Sequence, residues 1–473
     1  METALPYGWV LLSLALVFGF YMAWNIGAND VANAMGTSVG SGGLTLRRAV
    51  IVAAVMEFAG AVFVGSHVTD TVRRGMFDAT RFEAMPLVLG FLAALLAAAV
   101  WLQLATWRGW PVSTTHSIVG AVVGVGVLIG GLKSVNWGNV LSIVFSWVTS
   151  PLLGGVLAFA FFRMIQTRII NSKHPLQSTY RMLPFIGFYV AFILALVMVY
   201  KGLKNLHLNL NLGQAVLVSA AVGVVAALGA RAWGKQQARR HEAERQERGV
   251  ELTDDVPEGI PFVPKERRNQ PEPTPVLRPA LAPGSNLPTK RWEHRRQFEF
   301  EKVESVFSAL MIVSACFLAF SHGANDVANA IGPLAAAVDL VRTGEVAAKA
   351  PVPLWVLCLG AVGIVVGLAT WGYRVIETIG RKITSLTPSR GFAANLAAAT
   401  TVVLASRMGL PVSTTHILVG AVLGIGLARG IEYLNLRIVR DIVISWVVTI
   451  PAGAVLAMIF YWFLKLIFLP AAG

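Results

Sequence analysis

Gly27-Ala28-Asn29-Asp30-Val31-Ala32-Asn33-Ala34 recurs without a change as Gly323-Ala324-Asn325-Asp326-Val327-Ala328-Asn329-Ala330, 296 residues further on. A second stretch behaves the same way: Pro111-Val112-Ser113-Thr114-Thr115-His116 returns as Pro411-Val412-Ser413-Thr414-Thr415-His416, 300 residues on. A fainter echo pairs Ser146-Trp147 with Ser445-Trp446, each followed by a proline, Pro151 and Pro451. Three echoes in one order at a near-constant offset make the chain a duplicated half.

The surroundings of these motifs place them in a bilayer. Of 473 residues, 55% are hydrophobic and only 14% charged, well outside soluble composition. A crossing helix needs roughly 20 mostly apolar residues, and about twelve stretches approach that length. The expected fold is therefore all-α, a polytopic membrane protein with about twelve transmembrane or re-entrant helices in two inverted repeats. The two apolar stretches after the serine-threonine motifs are short, as re-entrant or broken helices are.

Residues 1–182 read as the first repeat, 183–233 as an additional pair of transmembrane helices, 234–300 as a linker and 301–473 as the second repeat. Seven crossings or their equivalents then separate the two repeat starts; seven is odd, which predicts inversion. The linker is rich in Arg, Glu, Gln and Pro, buries too little apolar surface to offset its ordering entropy, and reads as flexible, with a charged helix over Lys235 to Arg248. Its Lys and Arg content predicts the cytoplasmic side. On that scheme Arg73, Arg74 and Arg81 fall outside, an exception to the charge rule. The net charge of +14 lies between the apolar runs, which excludes nucleic acid as the explanation and fits the positive-inside rule. Cys316 and Cys358 sit in apolar stretches and read as packing residues. The apolar run near the N-terminus lacks a basic flank and cleavage site, and reads as a retained span.

Asp30 and Asp326 carry the chemistry. A carboxylate in a membrane segment costs roughly 2.5 to 3.5 kcal/mol, so it faces a cavity or a partner. In a helix Asn29 and Asn33 share a face, as do Asn325 and Asn329, which predicts two oxygen-rich patches suited to a hard cation such as Na⁺. The bland reading is that Asp and Asn cap broken helices; identical duplication weighs against it. Ser113, Thr114 and Thr115, and Ser413, Thr414 and Thr415, follow a proline and open new helices, whose free N–H groups and hydroxyls suit an anion. N-capping without a ligand is the alternative there. His116 and His416 are candidate proton carriers or anion ligands, with a structural role as the simpler reading. Glu57 lies in an apolar run and aligns with Leu357 at the 300-residue offset; its readings are neutralising a nearby Arg, joining a polar cavity, or ion coordination. His322 and His67 have no counterpart in the other half and rank low.

Anion loops beside bare carboxylates make sense if a bound Na⁺, or a proton, neutralises the acids, so the residues suggest cation-coupled anion symport. An anion channel would want rings of Lys or Arg, which the motifs lack. A phosphoryl-processing enzyme would want a nucleophile with its base or a P-loop, and none accompanies His116. Sulfate cannot donate a hydrogen bond at neutral pH whereas phosphate can, so acceptor carboxylates favour phosphate; arsenate is not separated by that argument.

The doubled motifs, together with Gly36-Thr37-Ser38-Val39-Gly40-Ser41-Gly42, resemble the inorganic phosphate transporter family of the PiT type. The resemblance covers both halves and not the linker. It implies an inverted-repeat transporter of the cell membrane, often a homodimer in contact with membrane lipid, that moves phosphate with co-transported Na⁺ in one branch and H⁺ in another. The unbroken motif text is closer to the sodium-coupled branch. Two departures stand out: Ile331-Gly332-Pro333 replaces Met35-Gly36-Thr37, and Asn395 stands where several members carry Glu, which bears on the coupling ion.

Overall fold

The computed structural model describes residues 3–64, 82–197, 199, 210–248, 289–346, 352–407 and 412–469. His67, Arg73, Arg74, Arg81, Pro411 and most of the linker lie outside the described residues, as do the side chains of Asn33 and Arg381. Among the described residues the elements are all helical. They run α1 Gly8–Asn29, α2 Val31–Gly40, α3 Leu46–Val64, α4 Ala84–Trp107, α5 Thr114–Gly130, α6 Trp137–Ile165, α7 Pro175–Val197 and α8 Leu212–Glu247. After the linker come α9 Thr289–Thr343, α10 Leu354–Trp371, α11 Tyr373–Glu377, α12 Pro388–Arg407, α13 Thr414–Arg429 and α14 Leu436–Phe468.

Eight helical stretches among these residues are long and apolar enough to cross a membrane, and α5 and α13, at 17 and 16 residues, form a shorter apolar pair. The protein is thus an integral membrane protein. Charged residues from Lys235 to Glu247 form no separate helix; they continue α8 without interruption, because nothing in that stretch breaks the helix. The two copies of the repeated motif differ in backbone. The first is divided at Asp30, where α1 ends and α2 begins, whereas α9 passes through Asp326 as one helix.

Glycines set the packing, as expected where lipid offers no hydrophobic drive and close backbone contact must hold helices together. A Cβ at Gly27 of α1 would come within 1.8 Å of the Ile364 carbonyl oxygen on α10, and one at Gly323 of α9 within 2.3 Å of the Glu57 carbonyl oxygen on α3. In return, Gly60 of α3 faces the Phe320 carbonyl at 2.0 Å and Gly367 of α10 faces the Trp24 carbonyl at 1.7 Å. Each motif helix therefore lies on the second helix of the other half. The short helices repeat the exchange: Gly120 of α5 abuts the Ile450 carbonyl on α14, and Gly420 of α13 abuts that of Pro151 on α6.

These contacts correct one alignment. Glu57 does not correspond to Leu357. Gly60 and Gly367, with Glu57 and Ile364, occupy matching places, an offset of 307 rather than 300 residues. The segment joining the motif helix to its successor differs in length between the halves, so a constant offset slips there by two helical turns.

Candidate functional site

The site lies where α1 and α2 meet at Asp30, and where α9 carries Asp326, facing the N-termini of α5 and α13. Ser113 and Ser413 are the N-caps of those two helices: each hydroxyl accepts from the backbone N–H three residues on, at 3.2 Å from His116 and 3.3 Å from His416. The capping reading of the serines is thus what their side chains do here. The threonines that follow turn to the carboxylates. Thr114 donates to Asp30 Oδ2 at 2.6 Å, Thr415 of the other half donates to Asp30 Oδ1 at 2.8 Å, and Thr414 donates to Asp326 Oδ2 at 3.2 Å. Thr115 accepts from the Asn329 amide at 3.1 Å, and the same amide reaches Thr114 at 3.1 Å. Asp30 and Asn329 therefore each bond to hydroxyls from the opposite repeat, and the site is built from both halves.

The three motif amides whose side chains are described divide. Asn325 and Asn329 donate to Asp326 Oδ1 at 2.9 and 3.4 Å. Asn29 faces away from that cluster and holds the turn before α5: its amide donates to Thr106 Oγ1 at 2.9 Å and to the Trp110 carbonyl at 3.0 Å, while its oxygen accepts from Val112 N at 3.2 Å. It positions the loop from which Ser113 and Thr114 emerge.

His322 and Glu57, ranked low or left open by sequence, join the cluster. His322 Nδ1 bonds the Glu57 carboxylate at 2.9 and 3.0 Å. Its Nε2 stands 2.8 Å from Asp326 Oδ2 and 3.9 Å from Asp30 Oδ2, close enough for attraction but without the alignment of a hydrogen bond. Donor atoms of Asp30, His322 and Asp326 all lie within 4.8 Å of one another, the spacing of ligands around one cation. All four ionisable groups are buried, at 3% exposure or less. Three carboxylates meet one imidazole in that enclosed space, and a buried negative excess of this kind is relieved either by a bound cation or by protonation of the acids. The signal in the sequence was a lone acid and a lone histidine in apolar runs of opposite halves, each without a repeat partner. Pairing the two would have found them.

His116 and His416 pack against each other instead, edge to face with ring centroids 4.7 Å apart, and His416 stacks on Trp446 at 3.8 Å. Trp446 in turn donates from Nε1 to the Pro111 carbonyl at 2.9 Å. The histidines meet across the two halves, each directly following its pair of threonines. Farther along α2, Thr37 donates to Asn395 Oδ1 at 2.9 Å, so this amide is engaged across the two repeats.

Two helix N-termini with free donor groups suit an anion, and a carboxylate-amide cluster between them suits a hard cation. The arrangement can hold both at once, each screening the other. Residues 26–457 match the model of the phosphate transporter family. The chain is 44% identical to inorganic phosphate transporter 2-1, chloroplastic, of Arabidopsis thaliana over 458 residues, 96% of this chain and 72% of that one. A solved structure of the sodium-dependent phosphate transporter aligns with a TM-score of 0.78 at 38% identity, covering 97% of this chain and 100% of its own.

Proposed function

Because this chain belongs to the phosphate transporter family, we propose that it imports inorganic phosphate with Na⁺ as a secondary active symporter of the cell membrane, by alternating access at a midplane site between inverted repeats. One observation carries the reading: Asp30 accepts from Thr114 of its own half and Thr415 of the other, so a single carboxylate ties the two anion-type helix ends together. The reciprocal glycine contacts support a two-fold relation between the halves, since each motif helix rests on the non-equivalent helix of its partner. In this scheme phosphate lies between the N-termini of α5 and α13, near Thr114, Thr115, Thr414 and Thr415. Na⁺ lies against Asp30, Asp326 and the oxygens of Asn325 and Asn329. Neutralising the carboxylates is what lets an anion approach them, so neither ion binds well without the other. Complete burial of the acids corresponds to an occluded stage of the cycle. Sodium rather than protons is favoured by the resemblance to a solved sodium-dependent phosphate transporter. A homodimer and a cytoplasmic linker complete the reading.

Reconstituted in vesicles, the protein should accumulate radiolabelled phosphate, with unlabelled arsenate competing and sulfate not. Sulfate competition as strong as that of phosphate would contradict a site that accepts hydrogen bonds from its anion.

A further inference from the structure

We propose that Arg231, Lys235 and Arg239 of α8 form a docking ladder for the headgroups of anionic phospholipids. The inference rests on the chain being membrane-embedded and is independent of what it transports. The three residues are spaced four apart, so they stand on one helical face, and all three are exposed. The same face carries Leu217, Val224 and Leu228 toward the other end of the helix, exposed by 71%, 51% and 62%. The opposite face is the one packed on α7: Gly223 meets the Phe188 ring, Gly234 meets Leu183, and His241 bonds Tyr180. A single stripe therefore changes from apolar to basic within one turn after Leu228, which is how a lipid-facing helix meets the boundary between acyl chains and headgroups.

Among the described residues no ion pair joins the ladder. Glu242 is taken by Arg245 at 2.5 Å, and Glu244 by Lys302 of α9. At 1.5 Å per residue the ladder extends about 12 Å along the helix axis. That is about the depth of one headgroup layer plus a few ångströms of solution, within which an anionic surface still acts at physiological salt. Rigid spacing distinguishes this device from a disordered basic loop, because the helix holds three cations at fixed depths against the membrane surface. The chemistry recognised is a phosphodiester monoanion anchored in the bilayer.

The test uses the full chain in vesicles of phosphatidylcholine with phosphatidylglycerol, followed by mass spectrometry of the lipid that co-purifies in nanodiscs. Wild type should retain phosphatidylglycerol above its bulk fraction. A basic residue near an anionic surface contributes about fivefold in binding, so each step toward Arg231→Gln, Lys235→Gln, Arg239→Gln should lower the enrichment by up to that factor. Arg231→Lys with Arg239→Lys should keep it, and Arg437→Gln with Arg440→Gln, exposed bases at the start of α14, should leave it unchanged. Equal enrichment in the triple Gln variant, or an equal loss in the α14 control, would overturn the proposal. So would displacement of phosphatidylglycerol by millimolar inorganic phosphate, which would make the ladder a site for soluble anions instead.

Discussion

Removing the hydroxyl of Thr415 isolates the contact on which the two-halved site depends. Thr415 and Asp30 come from different repeats and are both buried, and the hydroxyl donates to Asp30 Oδ1 at 2.8 Å. Thr415→Val keeps the shape and volume while deleting the donor. A hydrogen bond to a charged group is worth about 1.5 to 3 kcal/mol. If the bond is made in the transport-competent state, kcat/KM for phosphate uptake should fall about ten- to a hundredfold. Thr415→Ser keeps the hydroxyl and loses only a methyl group, so it should transport within a fewfold of wild type. The assay is initial uptake into proteoliposomes, normalised to reconstituted protein, with thermal unfolding in detergent as the check on folding. If Val and Ser behave alike, whether both are active or both are impaired, the hydroxyl is not what matters and the cross-repeat hydrogen bond is wrong.

Gly367→Ala should sharply reduce the yield of monodisperse protein, because its Cβ would fall 1.7 Å from the Trp24 carbonyl oxygen and overpacking costs at least about 1 to 3 kcal/mol; wild-type yield and melting would show that α1 and α10 are not in such contact. Asn29→Ala deletes the bonds to Thr106, Trp110 and Val112 and should lower stability by about 2 to 3 kcal/mol while the apparent Na⁺ affinity of the surviving folded protein changes little. A stable variant with greatly weakened Na⁺ dependence would instead make Asn29 a cation ligand.

Much of this arrangement is legible in the sequence because duplication marks it twice. Asp30, Asp326 and the threonines were singled out by repetition alone, and the structure brings them together. What repetition cannot reveal is asymmetry. Glu57 and His322 are 265 residues apart, have no copies of themselves, and meet only because α3 packs on α9 through Gly60 and Gly323. The mismatch of Glu57 with Leu357 has the same origin, since a fixed offset carries no information about the length of an intervening segment. Nor does the motif text distinguish Asn29 from Asn325. Identical residues in identical words take different partners because α1 stops at Asp30 while α9 runs on through Asp326. The serines show the limit of chemical reasoning from residue type: a hydroxyl at a helix start can cap through its oxygen and still donate its proton to an anion, and the hydrogen bond from the third N–H bears on the first role alone.

The most direct test of the central claim separates the two driving ions. Phosphate accumulation would be followed in vesicles carrying either an inward Na⁺ gradient at equal pH or an inward proton gradient with Na⁺ absent, using wild type and Asp326→Asn. Wild type should accumulate phosphate on the Na⁺ gradient and not on the proton gradient, and Asp326→Asn should lose Na⁺-driven accumulation while still reconstituting. Accumulation driven by protons without Na⁺, or undiminished Na⁺-driven uptake by Asp326→Asn, would contradict it.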